Sequence, residues 1–224
     1  TAGNTFILKP SEQTPLSGMR LAEYLKEAGL PDGVFNVVNG AKTIVESLCD
    51  HPDIKALAFV GSSSVAKIVY TRCSQNSKRS ICLGGAKNHM IVVPDADKDS
   101  TAKGLLASSM GSAGQRCMAA SVAVGVSDID HIIEQLIEEA KNFKLGVDMG
   151  TIISKDALNR INGYIDEAEK MGAKVLVDGR NMSPPDEYKD GYWLGATILD
   201  NVDPEWPSAK EEIFGPVLSI IRAD

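Results

Sequence analysis

The strongest constraint on this chain is a rhythm in its first 85 residues, where short apolar runs alternate with amphipathic stretches of helical period. Residues 5–8 read as a buried strand that Pro10 ends. Thr14-Pro15 then opens a helix with Leu16, Met19, Ala22 and Leu25 on one face, and Gly29 stops it. The turn Pro31-Asp32-Gly33 leads into a strand at 34–38. A helix at 42–48, a strand at 56–60, a helix at 65–73 and a strand at 79–83 complete the series. Four strands separated by three helices predict a parallel sheet with right-handed crossovers.

After Gly84-Gly85 the rhythm changes. A strand is expected at 90–93, followed by a helix to about Met110 that either Asp95 or Asp97 caps. A strand at 121–126, helices at 129–143 and 154–171, a strand at 174–177 and late strands at 193–199 and 217–221 follow. The Pro-, Asp- and Lys-rich residues 182–191 between them read as a surface loop. The boundary between two α/β units is placed near residue 85.

Composition excludes several classes. The chain has 224 residues, 23 Lys+Arg against 30 Asp+Glu and a net charge of −7, so it lacks the basic surface that a sequence-independent nucleic-acid grip requires. At 43% hydrophobic and 24% charged residues it is neither disordered nor fibrous in character. No apolar run approaches the length of a membrane span, and the stretch from Thr1 to Asn4 shows no signal-peptide pattern. Cys49, Cys73, Cys82 and Cys117 have neither metal-ligand spacing nor the density of a disulfide scaffold, so no metal is expected and a reducing compartment is.

Chemistry is expected at two kinds of place. The Rossmann phosphate loop G-x-G-x-x-G is absent, yet Lys9-Pro10-Ser11-Glu12 and Gly61-Ser62-Ser63-Ser64 both follow strands, where open α/β sheets take ligands. A helix opening on Gly-Ser offers free N–H groups to a phosphate, and Lys9 and Glu12 suit a phosphate or ribose. The same residues also suit a plain helix cap at Ser64 and a solvated ion pair. Cys117, in Gly114-Gln115-Arg116-Cys117 after a stretch of small residues, reads either as a nucleophile beside a guanidinium or as a structural thiol.

Five segments settle the choice by resemblance. Lys9-Pro-Ser-Glu12, Phe59-Val-Gly-Ser62, Leu83-Gly-Gly-Ala-Lys87, Gly114-Gln-Arg-Cys117 and Glu211-Glu-Ile-Phe-Gly-Pro-Val217 stand in the order and approximate spacing of the aldehyde dehydrogenase superfamily. Cys82-Leu-Gly-Gly-Ala-Lys-Asn-His89 and Gly111-Ser-Ala-Gly-Gln-Arg-Cys-Met118 resemble its CoA-acylating branch, which acts on methylmalonate and malonate semialdehydes. The resemblance implies an α/β fold: residues 1–85 as the C-terminal part of an NAD-binding, Rossmann-like domain, and 86–224 as an incomplete catalytic domain.

It further implies Cys117 as nucleophile and Arg116 as ligand of the substrate's carboxylate. Lys9 and Glu12, with Gln13 beside them, match positions at the adenosine ribose of NAD. Ser62 matches a pyrophosphate contact, Leu83 and Gly84 line the nicotinamide end, and Glu212 and Phe214 match positions at the nicotinamide ribose. The resemblance implies NAD rather than NADP, and Glu12, whose charge would repel a 2′-phosphate, is in keeping with it. His89 is read as a packing or hydrogen-bonding residue. The partners implied are an aldehyde, CoA as co-substrate, and further copies of the chain in a dimer or tetramer.

The departures are informative. Hydrolytic members carry Glu immediately before Leu-Gly-Gly, as base for the water that releases the acid; here Cys82 stands there. A thiolate acceptor needs less help than water, so deacylation by CoA to propionyl-CoA or acetyl-CoA, with loss of CO2, is expected. A hydrolytic enzyme or a non-catalytic protein that keeps the fold are the alternatives. The family's oxyanion-hole Asn and oligomerisation arm have no counterpart in these residues, so the chain is expected to be a fragment truncated at both ends. An intracellular setting follows, cytoplasmic in a bacterium or the mitochondrial matrix in a eukaryote.

Overall fold

The computed structural model of the protein describes residues 3–224; Thr1 and Ala2, which open the N-terminal stretch, lie outside the described residues. The chain forms two compact units, one ending at Gly85 and one spanning Ala86–Asp224.

The first unit contains β1 (Phe6–Leu8), α1 (Leu16–Glu27), β2 (Phe35–Val37), α2 (Lys42–Asp50), β3 (Ala56–Val60), α3 (Ser63–Gln75) and β4 (Arg79–Leu83). Both strand pairs are parallel, β1 with β2 from Phe6↔Phe35 and β3 with β4 from Ala56↔Arg79. The expected single sheet is corrected here: among the described residues the two pairs are separate ladders. Alternation dictates that a strand and its successor run parallel, because a helix lies between them, but it is silent on which pairs lie side by side. At α1 the capping position is Pro15, with no side-chain bond, and Gly29 beyond the helix adopts φ +87°. That left-handed turn is where a residue without Cβ is favoured. The core of this unit is Cys49, Val69 and Cys73, with Leu57, Phe59 and Cys82 packed against them.

The second unit contains β5 (Asn88–Val92), α4 (Lys98–Met110), β6 (Ala120–Val126), α5 (Asp130–Lys141), α6 (Lys155–Met171), β7 (Lys174–Val177), β8 (Thr197–Asp200), α7 (Pro207–Lys210) and β9 (Val217–Ala223). The strands form one sheet in the order β5-β6-β9-β8-β7, parallel except for β7. Leu105, Ile132, Leu136, Ile161, Ile165 and Ile198 are fully buried between the helices and this sheet, each worth about 2 kcal/mol of burial.

Asp97, not Asp95, caps α4, its carboxylate accepting the Ser100 N–H at 2.9 Å. The strand expected from residue 193 begins only at Thr197, because the Gly195 N–H bonds the Gly179 carbonyl at 3.0 Å and is lost to a ladder. Arg222 grips the nearly buried carboxylate of Asp200 through Nε and Nη2, both at 2.8 Å, joining β9 to β8. No described helix is long and apolar enough to cross a membrane.

Candidate active site

In the second unit the chain leaves α4 through a left-handed passage. Ser112, Ala113 and Gly114 have φ of 55°, 54° and 66°, a conformation that costs an L-residue other than glycine roughly 1–2 kcal/mol. Gly114 has no alternative there, since a Cβ on it would lie 2.0 Å from the Gly215 carbonyl oxygen. That approach brings the loop before β9 against the segment carrying Cys117. A crevice results, with Cys117, Arg116, Asn88, Ser121, Glu212 and Phe214 on its walls. Four of the site residues expected from sequence thus converge, although Cys117 and Phe214 come from distant parts of the chain.

Cys117 is exposed. It occupies a turn closed by the Ala119 N–H donating to the Arg116 carbonyl at 3.0 Å. In a trans peptide the N–H points opposite to its carbonyl. The Cys117 N–H is therefore directed out of the turn. Gln115 braces the turn from the other side: its Nε2 donates to the Thr151 carbonyl (3.1 Å) and its Oε1 accepts the Ile153 N–H (2.9 Å).

Arg116 is partly committed. Its Nη2 donates to the carbonyls of Ala107 (2.7 Å) and Ser108 (2.8 Å), satisfying the C-terminal turn of α4, where a cation also complements the helix dipole. The guanidinium lies so close over Gly111 that a Cβ there would meet Nη2 at 2.5 Å. Nη1 and Nε make no hydrogen bond among the described residues, so each keeps a donor, but they face different edges of the guanidinium and both edges share the committed Nη2, so a carboxylate would be met through a single nitrogen.

The loop bearing Glu212 and Phe214 is positioned by α6. Arg160 Nη1 donates to the Ile213 carbonyl at 2.8 Å, and the Tyr164 hydroxyl donates to the Glu211 carboxylate. Burial, then Glu211, pushes the Tyr164 phenol above its ordinary value. Phe214 sits at φ 53°, a second strained backbone position at the crevice.

Sequence reasoning missed two residues here. Asn88 reaches the turn of Cys117 from β5. Lys87, beside it, has a buried Nζ with no hydrogen-bond partner among the described residues. Burial pushes its pKa down to about 8, against the pull of Glu212 and then Glu211. The signal for Lys87 was a lysine amid small residues just before an alternating strand. His89, by contrast, is exposed and its ring meets the Lys87 carbonyl at 3.0 Å.

In the first unit the remaining site residues lie at carboxyl ends of strands. Lys9 donates to the Gly40 carbonyl beyond β2 at 2.8 Å and to Glu12 at 3.3 Å, so it ties the ends of β1 and β2 together. The Glu12 carboxyl is held below its ordinary value by its own backbone N–H first and by Lys9 second. Gln13 is exposed, its N–H bonded to the Ser11 hydroxyl at 3.3 Å.

Ser62 stands at the cap position of α3 but makes no side-chain cap bond; its hydroxyl meets that of Ser64 instead, at 3.2 Å. The first N–H to bond back is that of Ala66, to the Ser62 carbonyl. The helix thus opens on donors of the kind a pyrophosphate takes. Leu83 spends its carbonyl on the Gly61 N–H, and Gly84 lies so near Ser63 that a Cβ would meet the Ser63 hydroxyl at 2.8 Å. Cys82 is half-buried against the Cys49–Cys73 cluster, and burial pushes its thiol up, so it is no base at neutral pH.

The sequence model of the aldehyde dehydrogenase family matches residues 1–224. The chain belongs to the aldehyde dehydrogenase family. Among members of that family it is 49% identical to a malonate-semialdehyde dehydrogenase of Lacticaseibacillus casei, over 99% of this chain and 46% of that protein. It is 43% identical to the acylating, mitochondrial methylmalonate-semialdehyde/malonate-semialdehyde dehydrogenase of Rattus norvegicus, over 99% of this chain and 42% of the rat protein.

Its fold superposes with a TM-score of 0.94 on a Sinorhizobium meliloti protein assigned as a methylmalonate-semialdehyde dehydrogenase and solved with NAD. Identity is 47%, and the match covers 99% of this chain and 46% of that one. The chain spans about half the length of these family members.

Proposed function

We propose that this chain carries the nucleophile and much of the cofactor site of an NAD-dependent, CoA-acylating oxidation of methylmalonate or malonate semialdehyde. One observation carries the acylating reading: the position where hydrolytic members hold a base is Cys82, a thiol packed into a core cluster with its pKa raised. It has no carboxylate with which to activate water.

In this reading the Cys117 thiolate adds to the aldehyde carbon, and the Cys117 N–H meets the resulting oxyanion. A free N–H of Arg116, on Nη1 or Nε, orients the substrate's carboxylate. NAD, when bound, accepts the hydride that leaves the aldehyde carbon, and a thioester on Cys117 remains. The carboxylated acyl group loses CO2, the electron pair of the broken C–C bond passing to the α-carbon, which takes a solvent proton, and the CoA thiolate attacks the thioester carbonyl and expels Cys117.

The residues fit the cofactor. The uncapped N-terminus of α3 at Ser62 suits the pyrophosphate, and Gly84 keeps the backbone beside that helix clear of a side chain. Lys9, Glu12 and Gln13 would serve the adenosine ribose; Leu83 and Gly84 would line the nicotinamide end; Glu212 and Phe214 would serve the nicotinamide ribose. The N-terminal unit is thus read as the C-terminal part of an NAD-binding domain and the second as part of a catalytic domain.

The enzyme would work as a homo-oligomer in a reducing compartment, a bacterial cytoplasm or a mitochondrial matrix. The test is intact mass after incubation with NAD and methylmalonate semialdehyde. An acyl adduct on Cys117 that persists in water and is cleared by CoA supports the proposal. Rapid clearance in water alone would replace it with the hydrolytic reading.

A further inference from the structure

The turn that presents Cys117 is held by a side chain from outside it. Its ends are joined by the Ala119 N–H to Arg116 carbonyl bond, which makes Cys117 and Met118 the central residues. The peptide between two such residues is the soft part of a β-turn, because types I and II differ by its flip. Met118 is not among the residues with positive φ, so the turn is not in the type II form.

The carbonyl of that peptide, Cys117 O, accepts a hydrogen bond from Asn88 Nδ2 at 2.7 Å. The same nitrogen donates to the Ala119 carbonyl at 3.1 Å. Among the described residues no other side chain bonds a carbonyl of this turn. Asn88 is the first residue of β5, where the ladder to β6 shifts register between Asn88 and His89, pairing them with Ala120 and Val122. An irregularity of that kind re-aims a side chain at the rim of a sheet, and here it sends a carboxamide across to the nucleophile.

We propose that Asn88 is a positioning residue for Cys117: its carboxamide locks the Cys117–Met118 peptide in one orientation, fixing ψ of the nucleophile and keeping the negative end of that carbonyl turned toward β5. Without it the peptide flips freely, and in the flipped form the carbonyl dipole changes sides relative to the thiolate. The strained passage at Ser112–Gly114 makes this restraint more necessary, since left-handed non-glycine residues persist only where surroundings over-determine them. The proposal rests on Cys117 being the nucleophile of the proposed reaction.

The test compares wild type with Asn88→Ala, which removes both bonds, and Asn88→Asp, which keeps shape but has no donor when ionised. Asn142→Ala, which loses a carboxamide bond to the Glu138 carbonyl at the end of α5, is the control. Three quantities are read: thermal stability, kcat and KM with methylmalonate semialdehyde, and the pH profile of Cys117 alkylation by iodoacetamide.

Both Asn88 variants are expected to lower kcat roughly 10- to 100-fold with KM within about twofold, the loss expected when hydrogen bonds that orient a reacting group are removed. They should also displace the alkylation profile, while Asn142→Ala changes neither. An alkylation profile and kcat within about twofold of wild type for Asn88→Asp or Asn88→Ala, with only the melting temperature lowered, would overturn the proposal. Alkylation needs neither NAD nor CoA, so an enzyme that forms no acyl adduct would refute the proposed reaction while this comparison still decides the role of Asn88.

Discussion

Lys87 offers a measurement of how far burial governs this site. Its Nζ is shut from water with no hydrogen-bond partner among the described residues, and its pKa falls from 10.5 to about 8 because burial outweighs the attraction of Glu212 and Glu211. The unfolded chain therefore binds this proton more tightly than the folded one. Between about pH 8 and pH 10.5 the stability contributed by this residue rises with pH, and below pH 8 the whole penalty of the buried ammonium is present. The shift corresponds to about 3 kcal/mol.

Lys87→Met keeps an unbranched stem and discards the charge. At pH 7 it should stabilise the second unit by up to about 3 kcal/mol, a figure already net of the attraction to the two glutamates. That gain should shrink toward zero by about pH 10.5. Urea titrations at pH 7, 8.5 and 10 would show it, followed by the fluorescence of Trp193 and Trp206, the chain's two tryptophans, both in the unit that holds Lys87. Other lysines titrate equally in both proteins and cancel in the difference. A wild-type-minus-variant difference that is flat with pH, or a Met variant less stable at pH 7, would refute the reasoning.

Other substitutions probe the frame around Cys117. Gly114→Ala places a Cβ against the Gly215 carbonyl at φ +66°, so it should lower stability by about 3 kcal/mol or more in urea titration and disorder the crevice. Arg222→Ala strands the buried Asp200 carboxylate and should cost about 3–5 kcal/mol, most of it recovered in the double variant with Asp200→Asn. Arg116→Lys keeps the charge but has one nitrogen, which cannot both hold the end of α4 and reach a carboxylate as separate guanidinium nitrogens can. Its KM should rise at least about tenfold for methylmalonate semialdehyde and far less for propanal, and equal rises would mean that Arg116 serves α4 alone.

What was legible in the sequence follows from the range of the forces involved. Alternation of apolar runs located β1 to β4 and α1 to α3 because each is fixed by nearest neighbours along the chain. The joining of β1–β2 and β3–β4 into separate ladders was not legible, since lateral order depends on hydrogen bonds between strands that no period encodes. Trp193–Ala196 failed as a strand for a similar reason: a backbone approach of Gly195 to Gly179 competes with the ladder, and hydropathy is blind to it.

The site divides along the same line. Cys117 stood out from its own segment as one of two readings, whereas Glu212 and Phe214 were reachable only through family resemblance, because what brings the three together is a 2.0 Å exclusion at Gly114, a property of two glycine-containing loops far apart in sequence. Asn88 and Lys87 lay inside a recognised segment and still escaped notice. Their consequence rests on where each side chain is directed, which hydropathy does not encode. Asn88 opens β5 and reaches the Cys117 turn, whereas Lys87, just before the strand, has a buried Nζ whose pKa burial lowers against the pull of Glu212 and then Glu211. The register shift at Asn88/His89 accompanies the aim of Asn88 at the turn, and no hydropathy period encodes such a shift.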